Sequence, residues 1–402
     1  MKVLIADKFD ASGVEALGAM GCEVVNAPDT GADAMADAVH EHQPDVLIVR
    51  GTKVPAPVFE KGKKLALVIR AGAGYDTIDV NAASAQGVFV ANCPGKNAIA
   101  VAELVWGLIL CCDRRIPDQT MDLREGKWNK KEYSKAKGLH GRTLGIVGLG
   151  QIGIEVANRG KAFGMRVVVW SRSLTDEKAK SLGVERRPTP IDVAREADVI
   201  SVNVAANAET KKLINAEFCA AMREGAYFVN TSRGSVVDED ALLKAIREKG
   251  VRAGLDVFEN EPGQAVASFE SVLAKEPGVY GSHHVGASTD QAQGAIADEA
   301  VRILRVYMET GEVENVVNRC AKSPATRLLT VRHRNKPGVL AGVFNALSKA
   351  EINVEEMENM IYHGAEAACA RIRLDAEPAR EIVDEIAGSS KHILAVDLSA
   401  ID

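Results

Sequence analysis

Short, almost uninterrupted apolar runs punctuate the first 283 residues, at 3–6, 23–25, 46–49, 67–69 and 88–90, then at 144–147, 167–170, 199–202, 227–230, 251–255 and near 279. Runs of this length predict strands, and the lack of strict apolar–polar alternation predicts strands covered on both faces. Between them apolar residues recur every three to four positions, as over 11–20, which predicts crossover helices and parallel sheets. A longer apolar helix begins at 101 between the two series, and another, over 291–309, follows the second series and runs on to 316.

Two series of strands predict two sheets. The second, within 97–284, reads as a doubly wound, Rossmann-type unit. The first reads as a smaller, flavodoxin-like α/β unit, formed by 1–96 and completed by 285–318 if the helix over 291–309 returns to it. The dinucleotide-type unit would then be inserted in a discontinuous substrate unit. A linker is expected at 319–326, around Ser323 and Pro324. From 327 to 402 the pattern is strand (328–331), helix (339–350), strand (352–360), strand (365–374), helix (378–387), strand (393–398). That order predicts a ferredoxin-like α+β module.

A chain of 402 residues suits two or three domains, and 47% apolar residues suit a globular protein. A net charge of −6 offers no basic footprint for nucleic acid. The longest apolar stretch, 98–112, carries Glu103 and is too short for a bilayer, and a strand starts at residue 3, so neither a membrane span nor a signal peptide is expected. Seven cysteines without C-x-x-C spacing, two of them adjacent at 111 and 112, suit a reducing compartment, and the cytoplasm is expected. No metal site is expected.

The segment Thr143-Leu-Gly-Ile-Val-Gly-Leu-Gly-Gln-Ile-Gly153 joins a predicted strand to a predicted helix through G-x-G-x-x-G. Gly148 serves the tight turn, Gly150 the approach of a pyrophosphate, and Gly153 close helix–strand packing, with Gln151 and Ile152 opening the helix. An NAD-specific unit carries an acid about 20 residues further on. Here that place reads Ser171-Arg172-Ser173, with no acid before Asp176. These three residues suit a 2′-phosphate, while an arginine stacked on adenine suits NAD, so NAD and NADP both stand.

Three polar patches follow successive strands: Asn230-Thr-Ser-Arg-Gly234, Gly254–Pro262 and Ser282–Thr289. An arginine can hold a carboxylate by two parallel hydrogen bonds, an imidazole can exchange a proton with a carbonyl oxygen, and a carboxylate can keep that imidazole protonated. Singly, each has a bland explanation: a surface cation, a loop acid, a core histidine. Their co-occurrence at strand ends points to hydride transfer on a 2-oxo acid.

Over residues 1–318 the chain resembles the D-2-hydroxyacid dehydrogenase family. The resemblance is carried by Ile69-Arg-Ala-Gly-Ala-Gly74, Asn92-Cys-Pro-Gly-Lys-Asn97 before Val101-Ala-Glu103, the glycine fingerprint and the three late patches. It implies Arg233 as the carboxylate partner, Glu261 as the partner of the histidine, and His284 rather than His283 as the acid–base. It also implies Asp256 at the nicotinamide amide, and Ala73, Gly74 and Asn97 at the substrate. Arg50, Lys53 and Arg70 follow strands and suit a phosphorylated 2-hydroxy acid. An unphosphorylated 2-oxo acid such as hydroxypyruvate or glyoxylate uses the same carboxylate contacts. Asn203-Val-Ala205 departs from the family's His-Val-Pro. The fold is also shared by dinucleotide-sensing, corepressor-like binding proteins.

The C-terminal module resembles the ACT family of amino-acid-binding regulatory modules, through His333-Arg-Asn335-Lys-Pro-Gly-Val-Leu340 and Ile352-Asn353-Val354. That resemblance implies L-serine as effector, held by His333, Asn335 and Asn353. The segment 98–112 and the following 114–128 region resemble the family's dimerisation arm, with Arg114 and Arg115 available to a second subunit; a homodimer or homotetramer is expected.

Overall fold

The computed structural model describes residues 1–262, 266–320 and 322–401, so Ala321 of the expected linker, and Asp402, lie outside the described residues. The chain divides into two compact units, Met1–Asn318 and Arg319–Asp402.

The first unit holds two parallel sheets. Strands β1 (Lys2–Ile5), β2 (Glu23–Asn26), β3 (Val46–Val49), β4 (Leu67–Arg70) and β5 (Phe89–Asn92) form one, in the order β2-β1-β3-β4-β5. Strands β6 (Thr143–Val147), β7 (Arg166–Trp170), β8 (Glu185–Arg186), β9 (Val199–Val202), β10 (Tyr227–Asn230), β11 (Arg252–Leu255) and β12 (Val279–Gly281) form the other, in the order β12-β11-β10-β9-β6-β7-β8. All its ladders are parallel, as in a Rossmann-type sheet. Strand β8 was not foreseen: it is two exposed polar residues and carries no apolar signal.

The unbroken apolar runs follow from burial on both faces. Val167 and Val169 point into one core with Leu144 and Ile146, while Val168 points into the other with Val147 and Ile200. The sheet is closed on one side by the helix Ala98–Arg114, whose Val105, Trp106, Ile109 and Cys112 are buried. Trp106 stacks on Phe163 with ring centroids 4.4 Å apart. Most of the apolar surface of 98–112 is thus packed within the chain, Ile99 excepted. Exposed apolar side chains appear also at Ile116, Met121, Leu123 and Trp128, the last 81% exposed. Arg115 pairs with Asp118 and Glu132 of its own chain.

The helix Asp290–Thr310 lays Ile296, Ala300 and Leu304 against Val3, Ile48 and Ile69 of the five-stranded sheet. Residues 315–318 then bond along β5, through Asn92 N–H to the Asn315 carbonyl and Val317 N–H to the Val90 carbonyl. Beneath them the buried Glu299 accepts from Arg302, Asn315 and Lys96, tying this helix to the segment after β5.

In the second unit, β13 (Arg327–Arg334), β14 (Val354–Ile361), β15 (Ala367–Leu374) and β16 (Ile393–Ala400) form an antiparallel sheet in the order β14-β15-β13-β16. Helices Val339–Lys349 and Arg380–Gly388 give the order strand, helix, strand, strand, helix, strand. Leu329, Val331, Val343, Leu347, Ile372 and Ile386 form its core.

Candidate active site

The strand order of the seven-stranded sheet reverses between β6 and β9, and ligands of open α/β sheets gather at such a switch point. The glycine turn stands there. Gly148 has φ +98°, and a Cβ on it would approach the Asn203 carbonyl to 2.7 Å. A Cβ on Gly153 would meet the Gly148 carbonyl at 2.3 Å, so helix and turn pack too closely for any side chain. A Cβ on Gly150 would meet nothing within 4 Å, so the start of the helix Gln151–Ala162 is open to an incoming group. This bare helix N-terminus fits a pyrophosphate. Gln151 is exposed and Ile152 half-buried beside it. At the end of β7, Ser171 is half-buried, while Arg172 and Ser173 are exposed. Arg172 pairs with Glu209, a partner the one-dimensional pattern did not reveal.

Arg233, Glu261 and His284 come from the loops after β10, β11 and β12. His284 Nδ1 lies 2.7 Å from Glu261 Oε2, and Glu261 Oε1 accepts from Phe258 N–H at 2.8 Å. Burial works against ionisation of Glu261. The His284 hydrogen bond and charge, the Phe258 N–H and Arg233 outweigh it and hold the carboxyl below the usual range. With Nδ1 engaged, Nε2 is the ring nitrogen left for a reacting group.

Asp256 does more than its sequence motif implied. Its buried carboxylate accepts from Ser282 Oγ (2.7 Å), Val285 N–H (2.9 Å) and Gly286 N–H (2.9 Å), and its carbonyl accepts from His284 N–H at 2.8 Å. It therefore clamps the loop that carries His284, which sits at φ +53°, a conformation that a non-glycine residue rarely adopts.

The substrate candidates of the five-stranded sheet separate into two groups. Gly74, Arg70 and Arg50 converge with Arg233. A Cβ on Gly74 would lie 2.3 Å from Arg233 Nη2, so the missing side chain admits the guanidinium. The Ala73 carbonyl is fixed by Asn92 Nδ2 at 2.6 Å. Arg70 is folded under Gly72, with its buried Nε unpaired, and its pKa is pulled down to about 10, by burial first and then by the charge of Arg233. Arg50 donates to Ser288 Oγ at 3.0 Å, beside the His284 loop, and its backbone N–H donates to Asp7. Asn97 caps the helix Ala98–Arg114 by position only; its Oδ1 is buried without a partner. Lys53 is exposed and is not drawn into this cluster by any hydrogen bond.

Asp76, Asp7 and Ser288 were missed. Asp7 lies two residues beyond β1, where the strand-end rule could have found it; Asp76 gave no signal beyond lying in a loop.

In the second unit His333 and Asn335 stand apart from Asn353 within one chain. In register, His333 is level with Ala368 and Ile361, whereas Asn353 precedes Val354, which is level with Leu374 and Arg327. They lie at opposite ends of the sheet, roughly 20 Å apart at about 3.3 Å per residue. His333 is only 2% exposed, with Nδ1 on the Arg334 carbonyl and Nε2 on Asn359 Oδ1. Asn335 donates to the Ala365 carbonyl, and Asn353 to Glu355.

A nucleotide-accepting turn beside an arginine–carboxylate–imidazole set defines a dinucleotide-dependent oxidoreductase class of site. Residues 106–286 match the NAD-binding domain of the D-isomer specific 2-hydroxyacid dehydrogenases. A hydroxypyruvate reductase of Thermotoga maritima is 41% identical over 271 residues, covering 66% of this chain and 85% of that protein. A D-3-phosphoglycerate dehydrogenase of Methanocaldococcus jannaschii is 39% identical over 325 residues, 79% of this chain; the match spans 59% of that protein's length. The solved NADPH-dependent glyoxylate/hydroxypyruvate reductase of Sinorhizobium meliloti, in complex with NADP and malonate, superposes with a TM-score of 0.68 at 32% identity, over 79% of this chain and 96% of that one. The chain belongs to the D-isomer specific 2-hydroxyacid dehydrogenase family and carries its NAD-binding domain. No helix among the described residues is long and apolar enough to cross a membrane.

Proposed function

We propose that this chain is a D-3-phosphoglycerate dehydrogenase, interconverting 3-phosphoglycerate and 3-phosphohydroxypyruvate at the entry to L-serine biosynthesis. The observation that carries this reading is the guanidinium cluster: Arg70 and Arg50 stand beside Arg233, and Arg70 is buried with an unpaired Nε. A single carboxylate needs one guanidinium, whereas a substrate with a carboxylate and a phosphate uses more.

The residues act as follows. Arg233 holds the substrate carboxylate against the backbone of Ala73 and Gly74. The glycine turn at Gly148–Gly153 would hold a reduced nicotinamide dinucleotide, whose chemistry when bound would be hydride donation to the carbonyl carbon. His284 Nε2 gives its proton to the carbonyl oxygen, which becomes the hydroxyl, and takes it back in oxidation. Glu261 fixes the ring through Nδ1 and so leaves Nε2 to the substrate. Asp256 keeps the His284 loop in place and offers its remaining acceptor capacity to the nicotinamide amide.

In this reading 1–96 with 285–318 is the substrate domain, flavodoxin-like in its strand order, 97–284 the coenzyme domain, 319–326 a linker, and 327–402 an ACT domain. The strand–helix order of the last unit and its four-stranded antiparallel sheet support the ACT assignment. An L-serine site built from His333, Asn335 and Asn353 would lie between two copies, in a homodimer or homotetramer, because Asn353 is separated from the other two within one chain. Seven unpaired cysteines support a cytoplasmic protein.

A second reading, an NADPH-dependent hydroxypyruvate or glyoxylate reductase, is favoured by Ser171-Arg172-Ser173, which follow β7 with no acid before Asp176. The test is the initial rate of 3-phosphohydroxypyruvate reduction with NADH and NADPH in parallel. Fast turnover is expected. Turnover of hydroxypyruvate or glyoxylate alone would establish the second reading. Coenzyme binding without turnover of any 2-oxo acid would leave a dinucleotide-sensing binding protein.

A further inference from the structure

Asp76 stands on the loop after β4, and both its carboxylate oxygens face Arg233, accepting from Nε and Nη2 at 2.9 Å each. Arg233 Nη1 donates to the Ser232 carbonyl at 2.8 Å. A guanidinium carries five N–H groups. The Asp76 pair uses the Nε edge, Ser232 takes one Nη1 proton, and one N–H on each Nη remains. Rotation of the guanidinium would break both bonds to Asp76, and the backbone of Gly74 confines it from the side.

We infer that Asp76 is a positioning residue, which locks Arg233 by its Nε edge so that the Nη1–Nη2 edge is presented to the substrate carboxylate. The inference rests on the reading of Arg233 as the carboxylate partner. Electrostatics act the same way. Arg70 is buried, the charges of Arg233 and Arg50 bear on it unfavourably, and Asp76 opposes them. Asp7 does not do this work, because its carboxylate is spent on the backbone N–H groups of Arg50, Gly51 and Thr52. Without Asp76, repulsion from Arg70 turns the half-buried Arg233 toward solvent. Asp76 is not a stand-in that substrate must displace, since two N–H groups remain available while it stays.

The experiment is a double-mutant cycle on the full chain, with wild type, Asp76→Asn, Arg233→Gln and the double variant. Two quantities are read: KM for hydroxypyruvate at saturating NADH, and binding of oxamate to the NADH complex by quenching of nicotinamide fluorescence. Asp76→Asn is expected to raise both the KM and the oxamate Kd tenfold or more, with the NADH Kd within twofold of wild type. In the Arg233→Gln background it should add nothing; a loss of general stability would instead multiply with the Arg233 effect. Asp76→Ser serves the same comparison should the asparagine variant fold poorly. If Arg233→Gln weakens both readouts and Asp76→Asn changes neither, or if the two effects multiply, this inference fails and the reading of Arg233 stands. Tighter oxamate binding in Asp76→Asn would make Asp76 a competitor and overturn the inference. No effect of Arg233→Gln, or neither turnover nor oxamate binding in wild type, removes both.

Discussion

Alanine at Gly234 puts one methyl group where the structure has no room for it. An ideal Cβ there would lie 2.0 Å from the Phe258 carbonyl carbon, 2.1 Å from its oxygen and 2.3 Å from Glu259 N. These are backbone atoms, so no side-chain rotation relieves the overlap. Ordinary contact begins at 3.4 Å, so the two segments must part by about 1.4 Å. One segment carries Arg233, the neighbour of Gly234. The other leads through Phe258, whose N–H holds Glu261, to the carboxylate on His284. Separation therefore moves the carboxylate-holding arginine away from the proton-transferring pair. Displacement of about 1 Å costs roughly a hundredfold in rate, and overpacking costs about 1–3 kcal/mol of stability. Gly234→Ala is expected to lower kcat/KM for the 2-oxo acid about a hundredfold, to lower Tm by a few degrees, and to leave coenzyme binding, measured by fluorescence, within a few-fold, because β9 separates β10 from the glycine turn after β6. A variant with wild-type kcat/KM and unchanged Tm would refute the claim that this close approach sets the site's geometry.

The other expectations are independent of that contact. His284→Ala should lower kcat by two or more orders of magnitude, the scale of general acid–base work, while coenzyme binding persists; near wild-type turnover sinks the assignment. Arg172→Ala should lower kcat/KM with NADPH tenfold or more and leave the NADH value within twofold, and equal losses with both coenzymes would place Arg172 elsewhere than at a 2′-phosphate. Glu299 is held at about 2 against an ordinary 4.5, chiefly by its hydrogen bond from Arg302, against burial, with Lys96 and Asn315 assisting. At about 1.4 kcal/mol per unit, screened because Lys96 and Arg302 are two-fifths exposed, this contributes about 1–2 kcal/mol. A depressed carboxyl stabilises the fold above its unfolded value, and the contribution fades as pH falls from 4.5 toward 2. Denaturant unfolding of Glu299→Gln should therefore show a constant deficit from pH 7 to about 5 that narrows below; a deficit independent of pH down to 3 contradicts it.

Local pattern alone determined a large part of this protein. The strands at 144–147 and 199–202 were legible because burial on both faces demands unbroken apolar runs, and G-x-G-x-x-G was legible because Gly148 and Gly153 admit no side chain and Gly150 leaves the helix start open. The Arg233, Glu261 and His284 patches could be suspected because strand ends are where side chains converge in a parallel sheet. Tertiary structure decided the rest. That Val105, Trp106 and Ile109 of Ala98–Arg114 pack into the chain's own core could not be read locally, since hydrophobicity records that a face is buried and not against what. That His333 and Asn353 of one chain lie at opposite ends of its sheet could not be read locally either, because register is a long-range property. Asp76 and Arg233 are 157 residues apart, and Asp256 reaches 30 residues forward to Gly286. No local periodicity encodes such pairs; they exist only once the strands are ordered and the loops at their ends face one another.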